Sequence, residues 1–182
     1  QLAVMTARLA NGGKKVVPRL VRSVTGAAQE GAVLPRENPG GEAFDLGISR
    51  KSLQLVLSGM NKVMNGARGT ARAARIEVEG WEMAGKTGTA QVRRISRKER
   101  LEGVRKTDEK PWEERDHALF VGYAPYTDPR YAVSVIVEHG GSGSSVAAPI
   151  ARDLLQETLR LDPLRKPSYD IAIRRQNGGG DV

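Results

Sequence analysis

The stretch Trp81-Glu82-Met83-Ala84-Gly85-Lys86-Thr87-Gly88-Thr89-Ala90-Gln91-Val92 limits what this chain can be. It sets one lysine beside two hydroxyls, with glycines where a backbone must approach something closely. Two unrelated chemistries use such letters. The first is phosphate binding, because Gly80 to Thr87 fits G-x-x-x-x-G-K-[ST] and Tyr131 to Glu138 reads as the acid-ended strand that would help hold magnesium. A phosphate loop wraps its anion with N–H groups of small residues and opens a helix at its Lys-Thr. Here the wrapping positions are Trp81, Glu82, Met83 and Ala84, and an indole and a carboxylate suit a polyphosphate poorly. Gly88, Thr89 and Val92 then favour extended chain over a helical first turn.

The second chemistry is acyl transfer on a Lys-Thr-Gly strand. In extended chain the side chains alternate, so Lys86 and Gly88 share one side and Thr87 and Thr89 the other. A twisted edge strand can still aim the lysine and both hydroxyls at a substrate carboxylate. Gly88 lets a peptide or a lactam lie flat on the backbone. The Thr89 N–H can serve as one donor to a developing oxyanion. The bland alternative is a solvated surface strand with an ordinary lysine.

Composition narrows the classes. A length of 182 residues, 39% hydrophobic and 27% charged, is that of one globular domain. No apolar run is long enough to cross a bilayer, and no signal peptide is visible. The chain opens on Gln1, with Leu2, Met5 and Leu9 already at helical spacing, as expected of a piece of something longer. The net charge of +8 raises the question of nucleic acid. The basic residues are interleaved with acids, aromatics are 4%, and no nucleic-acid motif occurs, so a solvated basic surface is the expectation. Cysteine is absent, which removes disulfides, thiolate catalysis and cysteine-bound zinc. No cofactor or metal is expected.

Periodicity gives the elements. Leu2 to Asn11 predicts the end of a helix closed by Gly12-Gly13, and Val16 to Val24 a strand placed at an edge by Pro18. Thr25 to Gly41 reads as loop. Ser49 is the expected N-cap of a helix whose apolar stripe is Leu53, Val56, Leu57, Met60, Val63 and Met64, with Ile48 stapled to Leu53 and Asn65-Gly66 as its end. Gly69-Thr70-Ala71 is a turn, and Trp81 to Val92 the central strand. Residues 93–115 are a highly charged insertion, either solvated or a flap beside the site. His117 to Ala124 and Tyr131 to Glu138 predict a hairpin around Pro125-Tyr126-Thr127-Asp128-Pro129. After Gly140-Gly141-Ser142-Gly143, Ser144 or Ser145 is expected to cap a last helix buried through Ile150, Leu154, Leu155 and Leu159. Residues 162–182 read as a tail that need not fold. His117 and His139 are expected to be packed or surface residues, not ligands or bases.

The order of these elements resembles the C-terminal part of the transpeptidase domain of class B penicillin-binding proteins. It runs helix, Gly-Thr-Ala turn, Lys-Thr-Gly-Thr-Ala-Gln strand, charged insertion, and a hairpin carrying Phe120-Val121-Gly122-Tyr123-Ala124-Pro125. A Glu138-His139-Gly140-Gly141-Ser142-Gly143 loop then leads to the last helix. Gln1-Leu2-Ala3-Val4-Met5 with Asn11-Gly12-Gly13 resembles the family's preceding helix, so the likeness covers residues 1–161. The Gly-Gly-x-Gly loop favours the elongation type, penicillin-binding protein 2. The resemblance implies an α+β fold, a β-lactamase/transpeptidase-like antiparallel sheet with helices packed on it, whose first strands precede this chain.

It further implies a serine-type D,D-transpeptidase that cross-links peptidoglycan stem peptides during elongation and is acylated by β-lactam antibiotics. Such an enzyme works in the periplasm, is held to the inner membrane by an N-terminal anchor and partners a RodA-like glycan polymerase; no nucleic acid is implied. Lys86 would polarise the site and support proton transfer, Thr87 and Thr89 would hold the substrate carboxylate beside Gly88, and the Thr89 N–H would serve the oxyanion hole. The chain departs from the family in lacking a Ser-x-x-Lys and a Ser-x-Asn; Ser96-Arg97-Lys98 and Ser58-Gly59-Met60-Asn61 each miss by one position. Without a nucleophile there is no acyl-enzyme, so this chain alone is expected to be inactive, its serine lying upstream. A P-loop protein using residues 80–87 and a non-catalytic substrate-recognition module are the alternatives.

Overall fold

Glycines and a serine cap set the helix ends. The computed structural model describes residues 1–18, 47–103 and 105–162. Helix α1 (Leu2–Ala10) stops at Asn11, and Gly12 and Gly13 follow at φ 81° and 92°. That left-handed backbone suits glycine, and it brings the Gly13 N–H to the Arg8 carbonyl at 2.8 Å. Helix α2 (Arg50–Asn65) begins where the Ser49 hydroxyl accepts the Ser52 N–H at 3.1 Å, the expected N-cap. Val16 to Pro18 do not form the expected strand, since proline removes a ladder donor. The rest of that segment, the expected loop and the expected tail from Pro163 onward lie outside the described residues.

Three antiparallel strands follow: β1 (Ala84–Ala90), β2 (His117–Ala124) and β3 (Tyr131–Val137), in the order β1-β2-β3. The hairpin is where the sequence puts it, while the central strand is shorter than Trp81 to Val92. Alternation divides the sheet into two faces. On one, Ala118, Phe120, Ala124 and Val135 pack with Trp81, Met83 and Met64 against helix α4 (Ala148–Arg160), which contributes Ala148, Ala151, Leu155 and Leu159. On the other, Ala84 and Tyr123 meet Met60 and Leu57 of α2, and α1 lies against β2 and β3.

Phe120 shows how glycine makes room in this core. A Cβ at Gly85 would fall 2.2 Å from its Cζ and 2.7 Å from the Val121 carbonyl oxygen, and one at Gly122 2.6 Å from its Cε1. The ring therefore occupies space that two glycines leave free. Gly85→Ala is expected to destabilise the fold by about 1–3 kcal/mol through overpacking, read as a shift of the urea midpoint at unchanged slope.

The last helix begins differently from expectation. A π-helical turn (Gly143–Ala147) precedes α4, whose N-cap is Ala147 with no side-chain cap. The Ser144 hydroxyl bonds instead to that of Ser142 at 3.1 Å. Proline at the start of α4 supplies a preset φ in place of a hydroxyl cap. The buried stripe is also shifted: Ile150 and Leu154 are 41% and 52% exposed, and alanines take the inner positions. Likewise Val56 of α2 is largely exposed, with Met60 and Met64 bearing the burial.

The charged insertion is structured. Helix α3 (Arg97–Glu102) opens with a capping box between Ser96 and Glu99. Arg93, just past β1, reaches Glu99 at 2.6 Å and Glu114 at 3.2 Å, and Arg105 meets the same Glu114 at 3.2 Å. The Arg93 guanidinium, with the Ser96 N–H, pulls the Glu99 carboxyl from its ordinary 4.5 down to about 2. A depressed carboxylate stabilises the fold above its unfolded value, and that stabilisation disappears as pH falls through the folded value. An NMR titration of Glu99 should thus show a midpoint near 2 that returns toward the ordinary value in Arg93→Ala.

Candidate active site

β1 is an edge strand, with no strand beyond it among the described residues. It is in register with β2 through Lys86 opposite Val121, Thr87 opposite Phe120, Gly88 opposite Leu119 and Thr89 opposite Ala118. In an antiparallel ladder a residue's N–H and C=O point the same way and alternate along the strand. The Lys86 ammonium donates to the Thr87 carbonyl at 2.6 Å, so that carbonyl faces the open edge. Thr89, two residues on, presents its N–H and C=O along the same edge. Lys86 and Thr89 are exposed, and Thr87 and Gly88 half-buried. The four expected site residues thus form one accessible edge.

Lys86 stands at the rim of an apolar groove of about 410 Å³, walled by Met5 and Leu9 of α1, Val56, Met60 and Val63 of α2, and Val121. The threonines lie on the opposite face, as alternation requires, and the lysine reaches their side only by curling over the edge. On that face the loop after β3 comes down on the strand. A Cβ at Gly143 would fall 2.4 Å from the carbonyl oxygens of both Gly88 and Leu119. Backbone rests on backbone there, which only a residue without a side chain permits.

The phosphate-loop alternative is corrected by this geometry. Lys86 and Thr87 lie inside a strand paired with β2, and the next helix begins only at Arg97. Residues 80–87 therefore neither wrap an anion nor open a helix toward one.

Sequence reasoning missed a cluster at the far end of the edge. Trp112 covers the His139 ring at 4.4 Å between centroids, and His117 meets His139 edge-on at 4.8 Å. A histidine directly before Gly140-Gly141 was the available signal, since histidine is among the few side-chain-bearing residues enriched at positive φ; His139 has φ 55°. Among the described residues no three ligating side chains converge as a metal site would require. No described helix is long and apolar enough to cross a membrane.

Known proteins resemble this chain in sequence and fold. Residues 1–156 match the family described as penicillin binding protein transpeptidase domain. Peptidoglycan D,D-transpeptidase MrdA of Haemophilus influenzae is 34% identical over 97% of this chain, which covers 26% of that protein. The crystal structure of Pseudomonas aeruginosa penicillin-binding protein 2 in complex with WCK 5153 superposes with a TM-score of 0.62 at 37% identity, over 92% of this chain and 32% of that one. A complex between penicillin-binding protein 2 and MreC from Helicobacter pylori is similar at 30% identity and TM-score 0.51, over 63% of this chain and 18% of that one. The chain thus spans about a quarter of the length of the curated relative it matches. The family match over most of its length, together with these relatives, shows that the chain belongs to the penicillin-binding protein transpeptidase family, with relatives among the penicillin-binding protein 2 enzymes.

Proposed function

We propose that this chain is the acyl-donor-holding part of a peptidoglycan D,D-transpeptidase that works in cell-wall elongation. The observation that carries the reading is the open edge of β1, where Lys86 and Thr89 are exposed and no further strand pairs among the described residues. A stem peptide, or a β-lactam resembling it, lies along that edge. Its carboxylate is bound by the Thr87 and Thr89 hydroxyls and by the field of the Lys86 ammonium. The scissile carbonyl turns its oxygen toward the Thr89 N–H. A serine hydroxyl attacks that carbonyl, the negative charge formed on oxygen is met by a preorganised donor, and the leaving amine departs with the hydroxyl proton.

No Ser-x-x-Lys occurs in the 182 residues, so we assign the nucleophile to the remainder of the protein. The same reading places the catalytic domain in the periplasm, tethered to the inner membrane, with a RodA-like glycan polymerase as partner. An MreC-like scaffold is a further partner, suggested by the Helicobacter pylori complex. No cofactor is needed for this chemistry.

Incubating the intact protein and the 182-residue chain separately with a fluorescent penicillin tests the reading. Stoichiometric covalent label is expected on the intact protein and none on the chain alone. Thr87→Val and Thr89→Val should each weaken acylation of the intact protein by roughly tenfold, the worth of one charge-assisted hydrogen bond. An intact protein that takes no label, yet still binds its peptide substrate, would favour a recognition module without catalysis.

A further inference from the structure

The two histidines of this chain hold a strained turn together. His117 opens β2 opposite Ala90, and His139 follows β3 at φ 55°. A residue bearing a side chain keeps such a backbone only where its surroundings enforce it. The hydrogen bonds do so, and they fix both imidazoles. The His139 main-chain N–H donates to His117 Nδ1 at 2.9 Å, so that nitrogen carries no proton. His139 Nδ1 lies 3.0 Å from the Arg115 carbonyl oxygen, which only accepts, so Nδ1 is its protonated nitrogen. The two rings have opposite requirements: His139 accommodates a second proton, whereas a proton on His117 Nδ1 removes the acceptor that holds the turn.

The turn leads directly to the acyl-donor strand. Gly141 donates its N–H to the Asp116 carbonyl at 2.7 Å, and Gly143 rests on the backbone of Gly88. Thr107 of the insertion presses on Gly141 and Trp112 on His139, so the insertion backs the same turn.

We propose that His117 is a positioning residue for residues 86–89, and that its protonation loosens the site. With Nδ1 bare it anchors His139, and through Gly143 fixes the backbone of Gly88, next to Thr89. Charged groups around the pair are mixed in sign. Asp116 adjoins His117 and lies 3.7 Å from the buried Lys110 ammonium. Arg115 directs its side chain to the Lys110 carbonyl, Glu138 adjoins His139, and Glu113 and Glu114 follow Trp112. Both signs are present, so the effect of acid comes from loss of the Nδ1 acceptor. The inference rests on the transpeptidase reading given above.

The test is the second-order acylation rate of the intact protein with a fluorescent penicillin, from about pH 7.5 down to about pH 5, the span in which imidazoles gain charge. His117→Phe removes the acceptor and is expected to slow acylation about tenfold at the upper end. His117→Asn places an amide oxygen near the Nδ1 position; it should recover most of that loss and, being unable to titrate, flatten the acid limb. The ratio of His117→Asn to wild-type rates should therefore rise several-fold on acidification. Deuterium exchange in residues 138–143 of the intact protein should rise in parallel in the wild type and not in His117→Asn. A rate ratio independent of pH, with exchange unchanged, would overturn the proposal. Wild-type protein taking no label at any pH would overturn the transpeptidase reading itself.

Discussion

Replacing Lys86 with alanine in the intact protein is expected to slow acylation by a penicillin about 10²–10³-fold while leaving the fold in place. The size follows from what the lysine does in the proposed site. It is a fixed positive charge at the point where an anionic substrate must settle and where charge develops during attack. The preservation of the fold follows from its surroundings. Lys86 is exposed on an edge strand, its ammonium bonds among the described residues to the neighbouring Thr87 carbonyl, and its loss opens no cavity. Exposed positions of this kind change stability within about 0.5 kcal/mol. The variant separates site from scaffold: a lower rate with an unchanged unfolding midpoint is the expected pair. Arginine at the same place would restore charge without restoring the rate, because its planar fork does not match a compact ammonium.

Gly143→Ala is expected to lower both stability and activity. The added methyl would sit 2.4 Å from the Gly88 and Leu119 carbonyl oxygens and 3.0 Å from the Gly88 nitrogen. These are backbone atoms of paired strands, so relief requires the loop after β3 to lift or β1 to bend. Overpacking of that kind costs about 3 kcal/mol. Either movement disturbs the strand proposed to hold substrate, so acylation should fall more than tenfold in molecules that remain folded. Gly59→Ala supplies the contrast, because nothing lies within 4 Å of its added methyl in the middle of α2. That substitution should stabilise the helix by about 0.5–1 kcal/mol.

Local chemistry made the elements legible. Ser49 as a helix cap, Gly12-Gly13 as a helix end, the hairpin over the Pro-Tyr-Thr-Asp-Pro turn and the extended Lys-Thr-Gly-Thr each rest on interactions within a few residues. The phosphate-loop alternative fails on tertiary grounds as well, since Trp81 and Met83 are buried in the core and unavailable to wrap an anion. What the sequence concealed depends on contacts made at a distance. Helix α4 buries alanines because β2 and β3 come close to it, which no periodicity argument weighs against Ile150 and Leu154. The insertion is held by Arg93 pairing across to Glu114, where the letters alone read as solvated charge. The His117–His139 pair joins residues far apart in sequence through a main-chain N–H, and the meeting of Gly143 with Gly88 is tertiary in the same way.

The most direct measurement is the crystal structure of the intact protein acylated by a penicillin. The adduct's carboxylate should lie about 3 Å from the Thr87 or Thr89 hydroxyl, with its carbonyl oxygen about 3 Å from the Thr89 N–H. An adduct whose carboxylate and carbonyl both sit away from residues 86–89 would contradict the account.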